Sequence, residues 1–97
     1  MKFLESIEKT YKDGIGIIKL KNADYATKAD PWQNFRFARL VGVSVERAIL
    51  VRISDKLARI SNLIDKEPSV VEERIEDTLL DLINYVAILK AYLERKK

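Results

Sequence analysis

The chain of 97 residues contains neither cysteine nor histidine. Without cysteine it can form no disulfide and no thiolate metal site, which is compatible with a cytoplasmic location (the host cytoplasm if the protein is viral). Without histidine it has no imidazole metal ligand, no Ser-His-Asp triad and no histidine acid–base chemistry. Any bound metal must therefore be held by oxygen atoms, which favours Mg²⁺ and, after it, Mn²⁺.

Long apolar runs are also missing, so the sequence predicts no membrane span. The N-terminal segment carries acidic side chains within its first apolar stretch, which argues against a signal peptide. The net charge of +3 fits an anionic partner without demanding one. Because the basic residues are spread over every predicted helix rather than gathered on one, nucleic acid is the less favoured partner.

Apolar residues recur at steps of three and four along most of the chain, as on one face of a helix. This spacing predicts three long helices and one short helix, at residues 3–22, 31–41, 45–65 and 69–93. We expect a single all-α domain over residues 1–97, an antiparallel helical bundle with short connections. The last helix has more apolar surface than one small bundle covers, so the bundle is predicted to be completed by homo-oligomerisation.

Residues with capping chemistry mark the predicted helix ends. Asp30, followed by a proline, suits the start of the short helix, and Gly42 suits its left-handed end. Ser44 is the predicted cap of the next helix. Ser69 and Glu72 form a capping box, which predicts that the last helix begins at Ser69.

Three aspartates on the last two long helices are the candidate metal ligands. Asp77 and Asp81 are one helical turn apart, and like charges at this spacing destabilise a helix unless a cation lies between them. Asp55 on the preceding helix can complete the set, because carboxylates on facing helices recur as divalent-metal sites in bundles. Mg²⁺ at such a site usually keeps several waters and binds a substrate's phosphates.

Basic side chains next to these acids allow two interpretations. Lys56 and Arg59 can hold phosphate oxygens beside a metal. Alternatively, the acids belong to a solvated face, on which Arg52 and Arg59 make ordinary ion pairs with Asp55.

Aromatic residues around the short helix form the second candidate site. Tyr25 and Trp32 lie near a helix N-terminus, where they can stack on a base while the helix end attracts an anion. Asn84 is a further candidate contact for the substrate. The alternatives are that Trp32 and Phe35 close the end of the bundle, and that Asn84 and Tyr85 hydrogen-bond at a helix interface.

Several segments together resemble a known family. They are DYA at 24–26, DPWQNF at 30–35, GVS at 42–44, DKLAR at 55–59 and EDTLLDLINYVAIL at 76–89. The chain resembles the nucleotide modification-associated domain of phages and bacteria over residues 25–93, most specifically in the last segment. That family is in turn similar to the all-α, MazG-like nucleoside triphosphate pyrophosphohydrolases.

This resemblance implies a dimer or tetramer of helical hairpins that binds Mg²⁺. Its substrate would be a (deoxy)nucleoside triphosphate, cleaved between the α and β phosphates to a monophosphate and pyrophosphate. Under the hypothesis of such an enzyme, the metal ligands are Asp55, Asp77 and Asp81. The catalytic residues are Lys56 and Arg59, and the substrate contacts are Tyr25, Trp32 and Asn84.

The acidic pattern departs from that of the MazG-like enzymes, which carry E-x-x-E on one helix and E-x-x-D on the next. Here the earlier helix offers only Asp55, and Asp77 and Asp81 are separated by four positions rather than three. The alternative function is therefore a non-catalytic helical interaction module of a virus or phage. Such a module would bind a nucleotide, a nucleic acid or a host protein.

Overall fold

The computed structural model describes residues 2–24, 31–66 and 74–95, and every regular element in these ranges is helical. The all-α class is therefore confirmed. The elements are α1 (Phe3–Asp24), α2 (Gln33–Arg36), a 3₁₀ helix (Phe37–Val41), α3 (Val45–Leu63) and α4 (Ile75–Glu94). No helix in these ranges combines the length and the apolar character that crossing a bilayer requires.

The predicted caps around α3 are confirmed. Gly42 has φ of 80°, the left-handed conformation that glycine adopts without steric cost. The Ser44 hydroxyl accepts a hydrogen bond from the amide of Arg47 at 3.3 Å, which satisfies one of the free donors at the start of α3. The predicted short helix is divided, since α2 is one turn long and the following residues form a 3₁₀ helix.

The start of α4 differs from the prediction. Arg74 has an extended backbone and occupies the N-cap position, so the helix begins at Ile75 and not at Ser69. The Arg74 carbonyl accepts hydrogen bonds from the amides of Asp77 and Thr78 at 3.1 and 3.3 Å, as expected at a helix start. The proposed capping box of Ser69 and Glu72 lies outside the described residues.

Helices α3 and α4 form an antiparallel pair. Val45 and Ile49, near the start of α3, form a buried cluster with Tyr92, near the end of α4. Lys56, in the middle of α3, contacts Asp81 in the first half of α4. The order of these two contacts is reversed between the helices, which establishes their antiparallel direction.

The buried faces of α3 and α4 are rotated from the predicted ones. On α4 the fully buried residues are Thr78 and Tyr92, whereas Leu79, Val86 and Leu93 of the predicted face are exposed. On α3, likewise, the predicted core residues Leu57 and Ile64 are exposed. The prediction of the core is therefore wrong for two of five residues on the first face and for three of seven on the second. The predicted faces were Ile49, Ile53, Leu57, Ile60 and Ile64, and Val71, Ile75, Leu79, Leu82, Val86, Leu89 and Leu93, of which Val71 lies outside the described residues.

Two aromatic pairs fasten the region before α3 onto α4. The Trp32 ring meets Tyr92 edge-on at 5.5 Å, and its Nε1 donates a hydrogen bond to the Ile88 carbonyl at 3.4 Å. Phe35 meets Tyr85 edge-on at 6.3 Å. Such pairs contribute about 0.5–1.5 kcal/mol beyond the area they bury. The prediction that Trp32 and Phe35 close one end of the helical pair therefore agrees with the structure.

Candidate functional site

A cavity of about 260 Å³ lies where α1, the α2 segment and α4 meet. Its aromatic wall consists of Trp32, Phe35 and Tyr85, the same residues that fasten α2 to α4. Isoleucines of α1 and α4 complete the apolar lining. A cavity walled by aromatic rings suits a flat organic ring system, because rings bury large apolar areas and stack or pack edge-on.

Four polar side chains reach the same cavity from three segments. They are Lys21 of α1, Asn34 of α2, and Asp81 and Asn84 of α4. The set combines a cation, an anion and two carboxamides, so the cavity can both hydrogen-bond a ring edge and interact with charge. An apolar pocket with a few convergent polar groups is the usual form of a small-molecule site.

Asp81 has a partner on the neighbouring helix. The Lys56 Nζ lies 3.0 Å from its Oδ2, and the two side chains are only 16% and 31% exposed. A carboxylate in this position is stabilised by the ammonium group because both are partly removed from water. The predicted catalytic lysine and one predicted metal ligand are thus brought together.

The other predicted metal ligands do not join them. Asp55 on α3 and Asp77 in the first turn of α4 are exposed, as is Arg59. Within residues 2–24, 31–66 and 74–95, no three acidic side chains gather as a group that could hold a metal ion. Metal ligation by these residues stays a prediction, and Tyr25 lies outside the described residues.

A second cavity of about 380 Å³ lies on the seam between α1 and α4. Four of its seven lining residues are isoleucine or alanine, and the others are Tyr11 and Lys12 of α1 and Asn84 of α4. Asn84 and Ile18 line both cavities, so these two side chains separate them. The predicted substrate contact Asn84 therefore also lies at the interface of α1 and α4, whereas the hydrogen bonding that the alternative interpretation expected there is not seen among the described residues.

Lys21 and Tyr92 are the residues of this region that the sequence interpretation missed. Lys21 is one of many lysines, and nothing in its local pattern places it beside residues sixty positions away. Tyr92 has a signal in the sequence, because Thr78, Leu82, Tyr85, Leu89 and Tyr92 follow one another at steps of four and three. The guanidinium group of Arg95 lies 3.5 Å from the centre of the Tyr92 ring and covers it.

The fold and the cavity define an all-α protein with a small, aromatic-walled site between its helices. The family described as nucleotide modification associated domain 1 matches residues 21–91, and the chain belongs to this family. A search of curated proteins and a search of solved structures each found no match. The matched range contains every residue of the 260 Å³ cavity except Ile17 and Ile18.

Proposed function

We propose that this chain binds a (deoxy)nucleoside triphosphate at the 260 Å³ cavity and, with Mg²⁺ or Mn²⁺, hydrolyses it between the α and β phosphates. The observation that carries the proposal is the meeting of Asp81, the Trp32 ring and the Asn84 carboxamide at one cavity. Lys56 does not line the cavity but is paired with Asp81. The family's association with nucleotide modification supports a nucleotide as the ligand. Such a substrate would be met in the cytoplasm.

The size of the cavity suggests which part of a nucleotide would lie inside it. Pockets that enclose a drug-sized ligand measure about 300–1,000 Å³, whereas this one measures about 260 Å³. It suits a base rather than a whole triphosphate. The base would lie among Trp32, Phe35 and Tyr85, and the phosphates would extend outwards past Asp81, towards Lys56 or Lys21.

The residues present fit a Mg²⁺ ion that is held largely by substrate. Mg²⁺ is commonly bound by one or two carboxylates together with phosphates and waters, and Asp81, with Asp77 one turn before it, supplies that number. A bound ion would neutralise phosphate charge and lower the pKa of a coordinated water. A metal ion bound to Asp81 would also replace Lys56 as the partner of this carboxylate. The Lys56 ammonium group would then bind a phosphate oxygen, and Arg59, one turn further along α3, would bind a second phosphate oxygen.

The test is pyrophosphate release from a panel of ribo- and deoxyribonucleoside triphosphates with Mg²⁺ or Mn²⁺. We expect Asp81→Asn and Lys56→Met to lower kcat about 100-fold or more, as the loss of one preorganised charge at a reacting centre commonly does. Asp13→Asn is the matched control, because Asp13 is an exposed carboxylate paired with Lys9 on α1. Equal release by Asp81→Asn and Asp13→Asn would remove Asp81 from the site.

A specific observation favours a second candidate, a nucleotide-binding module without catalysis. Asp81 already has a cationic partner, and no group of three acids occurs in the described residues. In that case the melting temperature of the protein rises as the nucleoside triphosphate concentration is increased, as it does for any ligand that binds only the folded state. No pyrophosphate is released. Isothermal titration and the release assay on one preparation distinguish the two functions.

We also propose that the chain forms a homo-oligomer. Exposed apolar side chains recur every seven residues on both long helices: Leu50, Leu57 and Ile64 on α3, and Leu79, Val86 and Leu93 on α4. A seven-residue repeat is the signature of a helical seam that packs against another helix. We propose that these stripes join chains into a dimer or tetramer, which could bring acidic side chains of two copies together.

A further inference from the structure

Helix α1 leaves most of its apolar side chains uncovered. Among the described helices only α4 packs against it, and the two come close at the buried Gly14, where an added Cβ would lie 3.0 Å from Oδ1 of Asn84. A set of apolar residues at steps of three and four defines what we call the α1 stripe: Leu4, Ile7, Tyr11, Ile15 and Ile18. The first four of these are exposed, so the α1 stripe is available to another helix.

The second half of the α1 stripe borders the 380 Å³ cavity on the seam between α1 and α4. Tyr11, Ile15 and Ile18 belong to the α1 stripe and also line this cavity. A second helix lying along the α1 stripe would therefore cover the cavity as well and fill part of it with apolar side chains. Burial of both surfaces would be favourable, because each exposes aliphatic and aromatic carbon to water.

Four charged residues follow one flank of the α1 stripe, and their sign changes along the helix. Glu5 and Glu8 are acidic in its first half, whereas Lys12 and Lys19 are basic in its second half. All four are exposed, and none forms an ion pair with another described residue. A parallel copy of this helix would bring like charges together, whereas an antiparallel copy would place the acidic half beside the basic half.

We infer that α1 pairs with α1 of a second copy of this chain, in the antiparallel direction and about a twofold axis near Tyr11. In this register Ile7 lies opposite Ile15 of the partner subunit, and Glu8 lies beside Lys12 of the partner subunit. A surface that is complementary to itself in this way is what a twofold interface requires. The α1 stripe is separate from the stripes on α3 and α4, so it forms a second interface.

This pairing rests on the proposed homo-oligomer and determines its order. From Leu4 to Ile18 the α1 stripe extends over about 21 Å of helix, so one α1 pair is a short interface of the kind that holds weak complexes. Two chains joined through the α3 and α4 stripes present two α1 helices. Two such dimers would then be held by two α1 pairs at once, which binds far more tightly than one pair. The expected assembly is a tetramer.

The test measures the molar mass of the full chain by light scattering coupled to size exclusion at tens of micromolar. Wild type is expected at four times the chain mass of 11.2 kDa. Ile7→Glu should halve this mass to that of a dimer, because it places a charge at the centre of every α1 pair. Ser6→Glu is the matched control and should keep the tetramer, since it adds the same charge to an exposed position on the other side of α1.

Two charge variants test the antiparallel direction. Glu8→Lys and Lys12→Glu should each shift the mass towards that of a dimer, because each brings like charges together in every α1 pair. Mixing the two variant proteins should restore the tetramer, since one then carries two lysines at the positions where the other carries two glutamates. A role of these side chains within their own helix would leave the mass of the mixture unchanged.

The outcomes separate this inference from the proposed function. Circular dichroism verifies the fold of each variant. A wild-type mass that Ile7→Glu leaves unchanged, or a mixture of the charge variants that stays dimeric, would overturn the α1 pairing alone. A monomeric wild type would overturn the proposed homo-oligomer as well, whereas pyrophosphate release is measured independently of either.

Discussion

At the scale of single residues, one buried side-chain oxygen within residues 2–24, 31–66 and 74–95 has no hydrogen-bond partner. Thr78 on α4 is fully buried, and its Oγ1 makes no hydrogen bond within the described residues. A buried hydroxyl in this state costs stability, because it has given up its hydrogen bonds to water.

Thr78→Val is therefore expected to raise the free energy of unfolding by about 1 kcal/mol, since it removes the hydroxyl and keeps the shape. Chemical denaturation at neutral pH measures the change. Thr78→Ser is the control, because it keeps the hydroxyl and removes a buried methyl group, which should cost about 1 kcal/mol. A Thr78→Val protein less stable than wild type would show that the hydroxyl is satisfied after all.

At the scale of elements, the existence of the three long helices and the caps around α3 were predictable, whereas the start of α4 and the rotation of the helices were not. Gly42 and Ser44 act through the local backbone, so their roles can be predicted from the residue types alone. The rotation of each helix about its axis depends on which of its side chains pack against the neighbouring helix. Counting aliphatic residues favoured Leu57 on α3, yet the half-buried residue of that turn is Lys56, because Asp81 faces it.

The same reasoning explains α4 and the candidate site. Tyr92 was not part of the predicted apolar face, but Trp32, Arg36 and Arg95 surround its ring and leave it 2% exposed. Trp32 and Asn84 could be selected from the sequence because their chemistry is distinctive. Their convergence with Lys21 is a product of the tertiary fold, which no local pattern contains.

The first turn of α3 carries a charge whose effect depends on pH. The pKa of Glu46 lies below its usual value of 4.5, chiefly because its carboxylate accepts a hydrogen bond from its own backbone amide, with smaller contributions from Ser44, Arg95 and Arg39. Because the folded pKa is the lower one, the stabilisation is present above the unfolded pKa and is lost as the pH falls through the folded pKa.

Glu46→Gln should therefore lower the melting temperature at pH 7, and the difference should shrink as the pH falls from 7 through the folded pKa, because the wild-type side chain then becomes protonated. Thermal melts of both proteins across this range provide the measurement. A difference that stays constant with pH would mean that the side chain stabilises α3 by packing and not by its charge.

At the scale of the whole molecule, the chain exposes more surface than its mass warrants. Its accessible area is 7854 Å², whereas a folded monomer of this mass exposes about 5,700 Å². Its radius of gyration of 15.3 Å likewise exceeds the value of about 12.5 Å for a compact domain of this length. Stable homodimer interfaces bury about 2,000 Å² or more in total, so the excess is large enough for the proposed second copy.

We expect Leu57→Glu and Val86→Glu, each placing a charge in one of the exposed apolar stripes, to convert the proposed oligomer into a monomer. Light scattering coupled to size exclusion at tens of micromolar gives the molar mass. Asn62→Glu is the control, since it adds the same charge to an exposed position on the other side of α3. A wild-type protein that is already monomeric at this concentration would contradict the assembly.

The pairing of Trp32 with Tyr92 has an optical consequence. Trp32 is the one tryptophan in the chain, so nearly all of the intrinsic emission excited at long ultraviolet wavelengths comes from a single indole. That indole forms part of the wall of the 260 Å³ cavity. The protein thus carries a built-in fluorophore whose signal originates at the place where a base would stack.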